Sequence, residues 1–87
     1  MNLDQTYFSS DEARNSFLTY NYNENIRMII HYKEKLNKSN HSPFKIEEAN
    51  IAAALDRNKE IIDYLNRNNI DHEISDEGYL KIKELTR

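Results

Sequence analysis

The apolar positions in the first part of the chain recur with helical spacing. Ser9 lies just before this pattern, and Glu12 lies three residues after Ser9. This pairing is typical of a capping box at a helix N-terminus. The apolar residues that share one face of this segment are Ala13, Phe17 and Tyr20, with Leu18 beside them. The pattern predicts a short helix over residues 10–20.

A second helix is predicted after the sequence Tyr-Asn-Tyr-Asn at residues 20–23. Asn21, with Glu24 at the third position, repeats the cap pattern. The apolar stripe of this second helix consists of Ile26, Ile29, Ile30 and Leu36, and Met28 and Tyr32 widen it. Residues 37–43 are six polar residues and a proline, so we expect the helix to end there in a loop.

Residues 47–68 carry a further amphipathic pattern that fits one long helix or two short ones. The apolar positions are Ile51, Ala54, Leu55, Ile61, Ile62 and Leu65. Polar Asn58 falls where this stripe requires an apolar side chain, and Asp56 is a suitable N-cap for a second helix. Asn68 and Asn69 tolerate left-handed backbone angles and are expected to end the helix. Residues 44–46 before it fit either an extended stretch or the first turn of this helix.

The C-terminal part of the chain has the pattern of a β-hairpin. Residues 70–74 and 79–83 alternate between apolar and polar side chains on either side of Ser-Asp-Glu-Gly at residues 75–78. Gly78 supplies the positive φ that such a turn requires. The fold class predicted is therefore α+β and mainly α, with three to four helices followed by a C-terminal β-hairpin.

Composition narrows the class of protein. A chain of 87 residues has room for one hydrophobic core, so we expect a single domain over residues 1–87. Because cysteine is absent, disulfides and thiolate chemistry are excluded, which favours a cytoplasmic protein. We find neither a signal-peptide pattern nor an apolar run that would span a membrane. Richness in Asn, Lys and Ile suggests a bacterial or phage source.

Residues 44–87 resemble the winged helix-turn-helix superfamily. The resemblance assigns residues 46–55, Ile-Glu-Glu-Ala-Asn-Ile-Ala-Ala-Ala-Leu, to the first helix of the motif, residues 57–68 to the recognition helix and residues 71–83 to the wing. It implies that three side chains would meet base edges in DNA: Arg57, Asn58 and Lys59. A DNA-binding transcriptional regulator is therefore the alternative function.

The sequence contains few residue patterns that would indicate an enzyme. Adjacent acids at residues 11–12, 47–48 and 76–77 have the positions of helix caps and turn residues rather than of a converging pair in a cleft. His31, His41 and His72 have no metal-ligand spacing, and one glycine cannot form a phosphate-binding loop. We predict no catalytic residue, no cofactor and no metal.

Tyrosine and basic residues point instead to binding. The net charge is -3, so the molecule as a whole has no electrostatic attraction for nucleic acid, and residues 71–83, which the resemblance assigns to the wing, carry more acids than lysines. Six tyrosines are a high number for this length, and tyrosine is a preferred interface residue. The predicted protein-binding residues are Tyr20, Tyr22, Arg27, Lys33 and Lys35. We therefore predict a small regulatory protein, an inhibitor or adaptor, whose protein partner has an acidic surface. The sequence leaves its oligomeric state open, a homodimer included.

Overall fold

The computed structural model describes residues 2–38 and 46–83. Within them the chain forms a 3-10 turn at Leu3–Gln5, helix α1 at Asp11–Lys38, helix α2 at Ile46–Arg67, and strands β1 at His72–Ile74 and β2 at Leu80–Ile82. The two helices pack side by side, and the two strands form an antiparallel hairpin whose second strand contacts α1. The described residues thus contain two α-helices and a C-terminal hairpin, where the sequence predicted three to four helices.

Helix α1 begins one residue later than the sequence predicted. Ser10 is the N-cap, because its Oγ accepts a hydrogen bond from the Ala13 N–H at 3.0 Å and its carbonyl accepts one from the Arg14 N–H. The prediction of Ser9 as N-cap was wrong by one position. Two adjacent serines make the choice ambiguous from sequence, since either can cap the same turn.

Helix α1 is also continuous where a break was predicted. Asn21 is not an N-cap; its Nδ2 donates to the Phe17 carbonyl at 2.8 Å, within the helix. Neither glycine nor proline occurs between residues 11 and 38, and Asn costs well under 1 kcal/mol in a helix interior. Packing against α2 and β2 outweighs that cost, so the predicted helices at 10–20 and after residue 21 are one. The predicted loop at 37–43 lies mostly outside the described residues.

Helix α2 is one helix, which decides between the two interpretations of residues 47–68. Asp56 lies in its interior, and buried Asn58 occupies the apolar stripe by bonding to a polar partner on α1. The helix-break-helix arrangement that the winged helix-turn-helix resemblance assigned to residues 46–68 is a single helix here, while the resemblance itself stays a prediction. Ile46 opens the helix, and residues 44 and 45 lie outside the described residues.

The end of α2 follows the prediction. Asn69 has a φ of +57°, in the left-handed region. The Ile70 N–H donates to the Leu65 carbonyl at 2.9 Å and the Asn69 N–H to the Asn66 carbonyl at 3.2 Å, the two bonds of a Schellman motif. Leu65 and Ile70 are both buried in the same apolar cluster, so the cap also directs the chain back toward the core.

The predicted hairpin is confirmed. β1 and β2 pair antiparallel with Glu73 opposite Lys81, and the turn between them includes Gly78 at a φ of +82°. The Ser75 N–H donates to the Tyr79 carbonyl at 2.7 Å, and the Ser75 carbonyl accepts from the Gly78 N–H at 2.8 Å. Each strand is three residues long, shorter than the alternating segments in the sequence.

The core lies where the hairpin meets the first half of α1 and the second half of α2. Its buried residues are Leu3, Leu18, Ile61, Leu65, Ile70 and Leu80. Several residues predicted for the apolar faces are exposed instead: Ala13, Phe17, Tyr20, Ile30 and Leu55. The physical reason is that the hairpin covers only one end of the helix pair. Leu18 faces the core, whereas Tyr20 lies on the opposite side of α1.

Candidate functional site: a groove between α1 and β2

An open groove of about 660 Å³ lies between α1 and β2. Helix α1 contributes Asn15, Ser16, Thr19, Tyr20, Asn23 and Arg27, and β2 contributes all three of its residues. On the β2 side, Leu80 and Ile82 are apolar lining residues, and the α1 side is mainly polar. Arg27 and Lys81 are the charged side chains among the described lining residues. Among the described residues that line the groove, none carries a carboxylate.

The helical wall of the groove follows from residue spacing. Ser16, Tyr20, Asn23 and Arg27 are four, three and four positions apart, so their side chains form one stripe along α1. Leu18, which is buried in the core, lies on the opposite side of the helix. Because this stripe faces away from the core, Tyr20 is 65% exposed.

Arg27 is held in place at one end of the groove. Its guanidinium forms an ion pair with Glu24 one helical turn earlier. It also lies 5.3 Å from the centre of the Tyr79 ring, within the range of a cation–π contact. These two contacts restrain a long side chain that would otherwise lose conformational entropy on binding a partner.

Asn23 joins the helix to the strand. Its Oδ1 accepts a hydrogen bond from the backbone N–H of Leu80 at 2.9 Å. This bond fixes the distance between α1 and β2 at one point along the groove. The same bond satisfies the Leu80 N–H, which lies on the edge of β2 that does not pair with β1.

The outer edge of β2 faces this groove. The Lys83 N–H donates to the Asp71 carbonyl and the Ser75 N–H to the Tyr79 carbonyl. In an antiparallel pair the hydrogen-bonded positions alternate, so Glu73 and Lys81 form the bonded pair between them. Leu80 and Ile82 therefore direct their N–H and C=O groups away from β1, in agreement with the bond from Leu80 to Asn23.

Asn15 supplies an unsatisfied donor in the groove wall. It is only 4% exposed, and its Oδ1 accepts from the Arg14 Nε at 3.0 Å. Its Nδ2 is buried and finds no hydrogen-bond acceptor among the described residues. Buried polar groups are nearly always bonded, and each exception calls for an explanation.

The structure brings together two of the five predicted protein-binding residues, Tyr20 and Arg27. Lys33 and Lys35 are exposed on the second half of α1, outside the groove lining. Side chains two positions apart on a helix point about 160° away from each other, so these two lysines do not share a face.

Tyr22 has a structural position rather than an exposed one. It packs against the core cluster, and burial raises the pKa of its hydroxyl because the phenolate would lose hydration. Its carbonyl accepts a hydrogen bond from Asn58 Nδ2 at 3.4 Å. The sequence could not separate Tyr20 from Tyr22, because both flank an Asn-rich segment with no clear helical phase.

The predicted DNA-contacting residues are engaged within the protein. Asn58 is 6% exposed between the helices, and the Arg57 Nε donates to the Asn25 Oδ1 at 3.4 Å. Lys59 Nζ lies 2.8 Å from the Asp63 carboxylate, and that hydrogen bond raises the pKa of Lys59. In this arrangement Asn58 has no surface from which to reach a base edge.

Sequence reasoning missed the β2 side of the groove and Asn15 and Asn23 on the helix. The spacing of Asn23 with Tyr20 and Arg27 was a usable signal once α1 is known to be continuous. Lys81 and Ile82 carried no such signal, since only the packing of the hairpin on α1 brings them there.

Among residues 2–38 and 46–83 no group of three or more His, Asp or Glu side chains could hold a metal ion. Within the same ranges no helix combines the length and apolar character needed to cross a bilayer. Comparison of the chain with protein-family models, with curated proteins and with solved structures finds no significant match.

Proposed function

We propose that the chain is a small non-enzymatic regulatory protein that binds another protein, as an inhibitor or adaptor, through the groove between α1 and β2. The observation that carries the proposal is the position of Tyr20, which is 65% exposed in the wall of a groove that also holds Arg27 and Lys81. A large side chain with a polar tip beside restrained cations is the composition typical of interface hot spots.

The charge of the groove favours an acidic partner surface. Arg27 and Lys81 line it, and no carboxylate does so within residues 2–38 and 46–83, although the whole chain carries a net charge of -3. An acidic surface is therefore attracted locally and repelled elsewhere, which orients the partner toward the groove. Ile82, which is only partly buried, adds apolar area that a partner side chain can cover.

The alternative of a winged-helix DNA-binding regulator has less support. Asn58 is buried and Lys59 is paired with Asp63, so two of its three proposed base-contacting side chains are occupied. DNA binding is therefore one possible result of the capture experiment and not a second proposal.

Capture of partners from a lysate of the native host, with and without nuclease, tests the proposal. Three baits are compared: wild type, Tyr20→Ala and Tyr7→Ala. Tyr7 is 87% exposed and lies outside the groove lining, so it is the matched control. We expect wild type and Tyr7→Ala to retain the same protein after nuclease treatment, and Tyr20→Ala to retain about tenfold less or worse, as for an interface hot spot.

Two results would contradict the proposal. Equal capture by Tyr20→Ala and wild type would place the binding surface elsewhere. Loss of all capture on nuclease treatment, with binding to duplex DNA that weakens steeply between about 50 and 200 mM salt, would favour the DNA-binding alternative. Thermal melts of the three baits should coincide, because neither tyrosine is buried.

A further inference from the structure

The outer edge of β2 offers backbone hydrogen-bonding groups at the floor of the groove. Ile82 directs both its N–H and its C=O away from β1, and no described residue bonds to either group. At Leu80 the N–H is taken by Asn23, whereas the C=O also faces outward. An exposed strand edge of this kind is a template for pairing with another chain.

Building on the proposed function, we infer that the partner presents an extended acidic segment that adds to the outer edge of β2 as a third strand. Its backbone would form the hydrogen-bonded antiparallel pair with Ile82, donating to the Ile82 C=O and accepting from the Ile82 N–H. The groove lies open beside this edge of β2, and the added strand would lie in it about 4.8 Å from β2.

Side chains around this edge identify the chemistry of the segment. Among the described lining residues the charged side chains are Lys81 and Arg27, the latter already paired with Glu24, and both favour carboxylates on the segment. Asn15 adds a buried amide donor without an acceptor among the described residues, in the same groove wall. A carbonyl or carboxylate of the added strand would be an acceptor for this unsatisfied donor.

The test uses two synthetic heptapeptides as probes, one alternating glutamate and valine and one alternating lysine and valine. Each is titrated into the isotopically labelled full chain, and backbone amide shifts are followed by NMR. We expect the acidic peptide to shift the amides of residues 80–82 and of the α1 stripe around Tyr20 and Asn23, and the basic peptide to leave them unchanged. The Lys81→Glu variant should lose binding of the acidic peptide.

The strand pairing itself is tested by comparing Ile82→Pro with Ile82→Ala. Both remove the Ile82 side chain, which packs against the core, but only proline removes the outward N–H. The hairpin bond from the Lys83 N–H to the Asp71 carbonyl should persist in both and is checked by amide exchange. We expect Ile82→Pro to bind the acidic peptide at least about fivefold more weakly than Ile82→Ala, as for one lost hydrogen bond.

The outcomes separate this inference from the proposed function. If Ile82→Pro and Ile82→Ala bind the acidic peptide equally while Tyr20→Ala weakens partner capture, strand addition is overturned and the groove remains a binding site. Failure of the acidic peptide to shift residues 80–82 overturns strand addition as well. If Tyr20→Ala also leaves partner capture unchanged, both proposals fail.

Discussion

Asn25 of α1 and Asn58 of α2 meet in the interface between the two helices, with the Asn25 Nδ2 donating to the Asn58 Oδ1 at 2.8 Å. Both residues are less than 10% exposed. The Arg57 Nε donates to the Asn25 Oδ1, and the Asn58 Nδ2 donates to the Tyr22 carbonyl. A satisfied polar pair at this position fixes how the two helices align along their length, since any shift would leave a buried amide unbonded.

Removing one member of this pair should destabilise the fold more than removing both. We expect Asn58→Leu to lower the free energy of unfolding by about 1–3 kcal/mol, because Asn25 keeps a buried donor without its acceptor. The double variant Asn25→Leu, Asn58→Leu should lose much less than the sum of the single variants. Urea unfolding of all four proteins gives the coupling energy, and strictly additive losses would contradict a direct bond.

The N-cap of α1 can be assigned by two neighbouring substitutions. Ser10→Ala should cost about 1 kcal/mol, because the Ala13 N–H loses its acceptor. Ser9→Ala is the control and should change stability by less than about 0.5 kcal/mol, as at an exposed surface position. Thermal melts distinguish them, and a reversed order would restore Ser9 as the cap.

Gly78→Ala should cost about 1 kcal/mol or more through the backbone alone. A Cβ at this position would meet nothing within 4 Å, so crowding contributes nothing and the φ of +82° is the whole cause. Gly78→Asn should cost less, because Asn tolerates left-handed angles better than Ala. Equal losses for Ala and Asn in chemical unfolding would indicate another cause.

Tyr22 should make the fold sensitive to alkaline pH. Burial raises the pKa of its hydroxyl above the ordinary value near 10, so the folded state holds that proton more tightly than the unfolded chain. Its contribution is fully present below about pH 10 and is lost as pH rises through the folded pKa. Urea midpoints measured from about pH 8 to about pH 11 should fall less for Tyr22→Phe than for wild type. Tyr7→Phe, at an exposed position, should follow wild type.

The local signals of the sequence predicted the elements whose cause is local. The turn at Gly78 and the left-handed end of α2 at Asn69 both depend on backbone angles that few residues tolerate, and both predictions are confirmed. The break predicted at Asn21 was wrong, because the Asn21 side chain bonds within α1. The choice that the sequence left open over residues 47–68 is decided for one helix, in which Asn58 bonds across to α1. A sequence pattern cannot distinguish a polar residue that ends a helix from one that pairs with a distant partner.

The sequence likewise predicted only those parts of the candidate site that depend on local signals. Tyr20 and Arg27 lie on one helical stripe, and composition alone marked both as binding residues. Tyr22, two positions from Tyr20, faces the core, and Lys81 enters the groove only because the hairpin folds back on α1. The orientation of the outer edge of β2 depends on tertiary packing and has no signal in the sequence.

Photo-crosslinking in a lysate of the native host tests the central claim, that the groove is the protein-binding surface, most directly. A benzophenone amino acid replaces Tyr20 in one variant and Tyr7 in another, so that an exposed aromatic position outside the groove lining serves as the control. We predict a nuclease-resistant crosslink to one protein from position 20, suppressed by excess wild-type chain, and no such crosslink from position 7. Crosslinks of equal yield from both positions, or none from position 20 while the partner is still captured, would contradict the account.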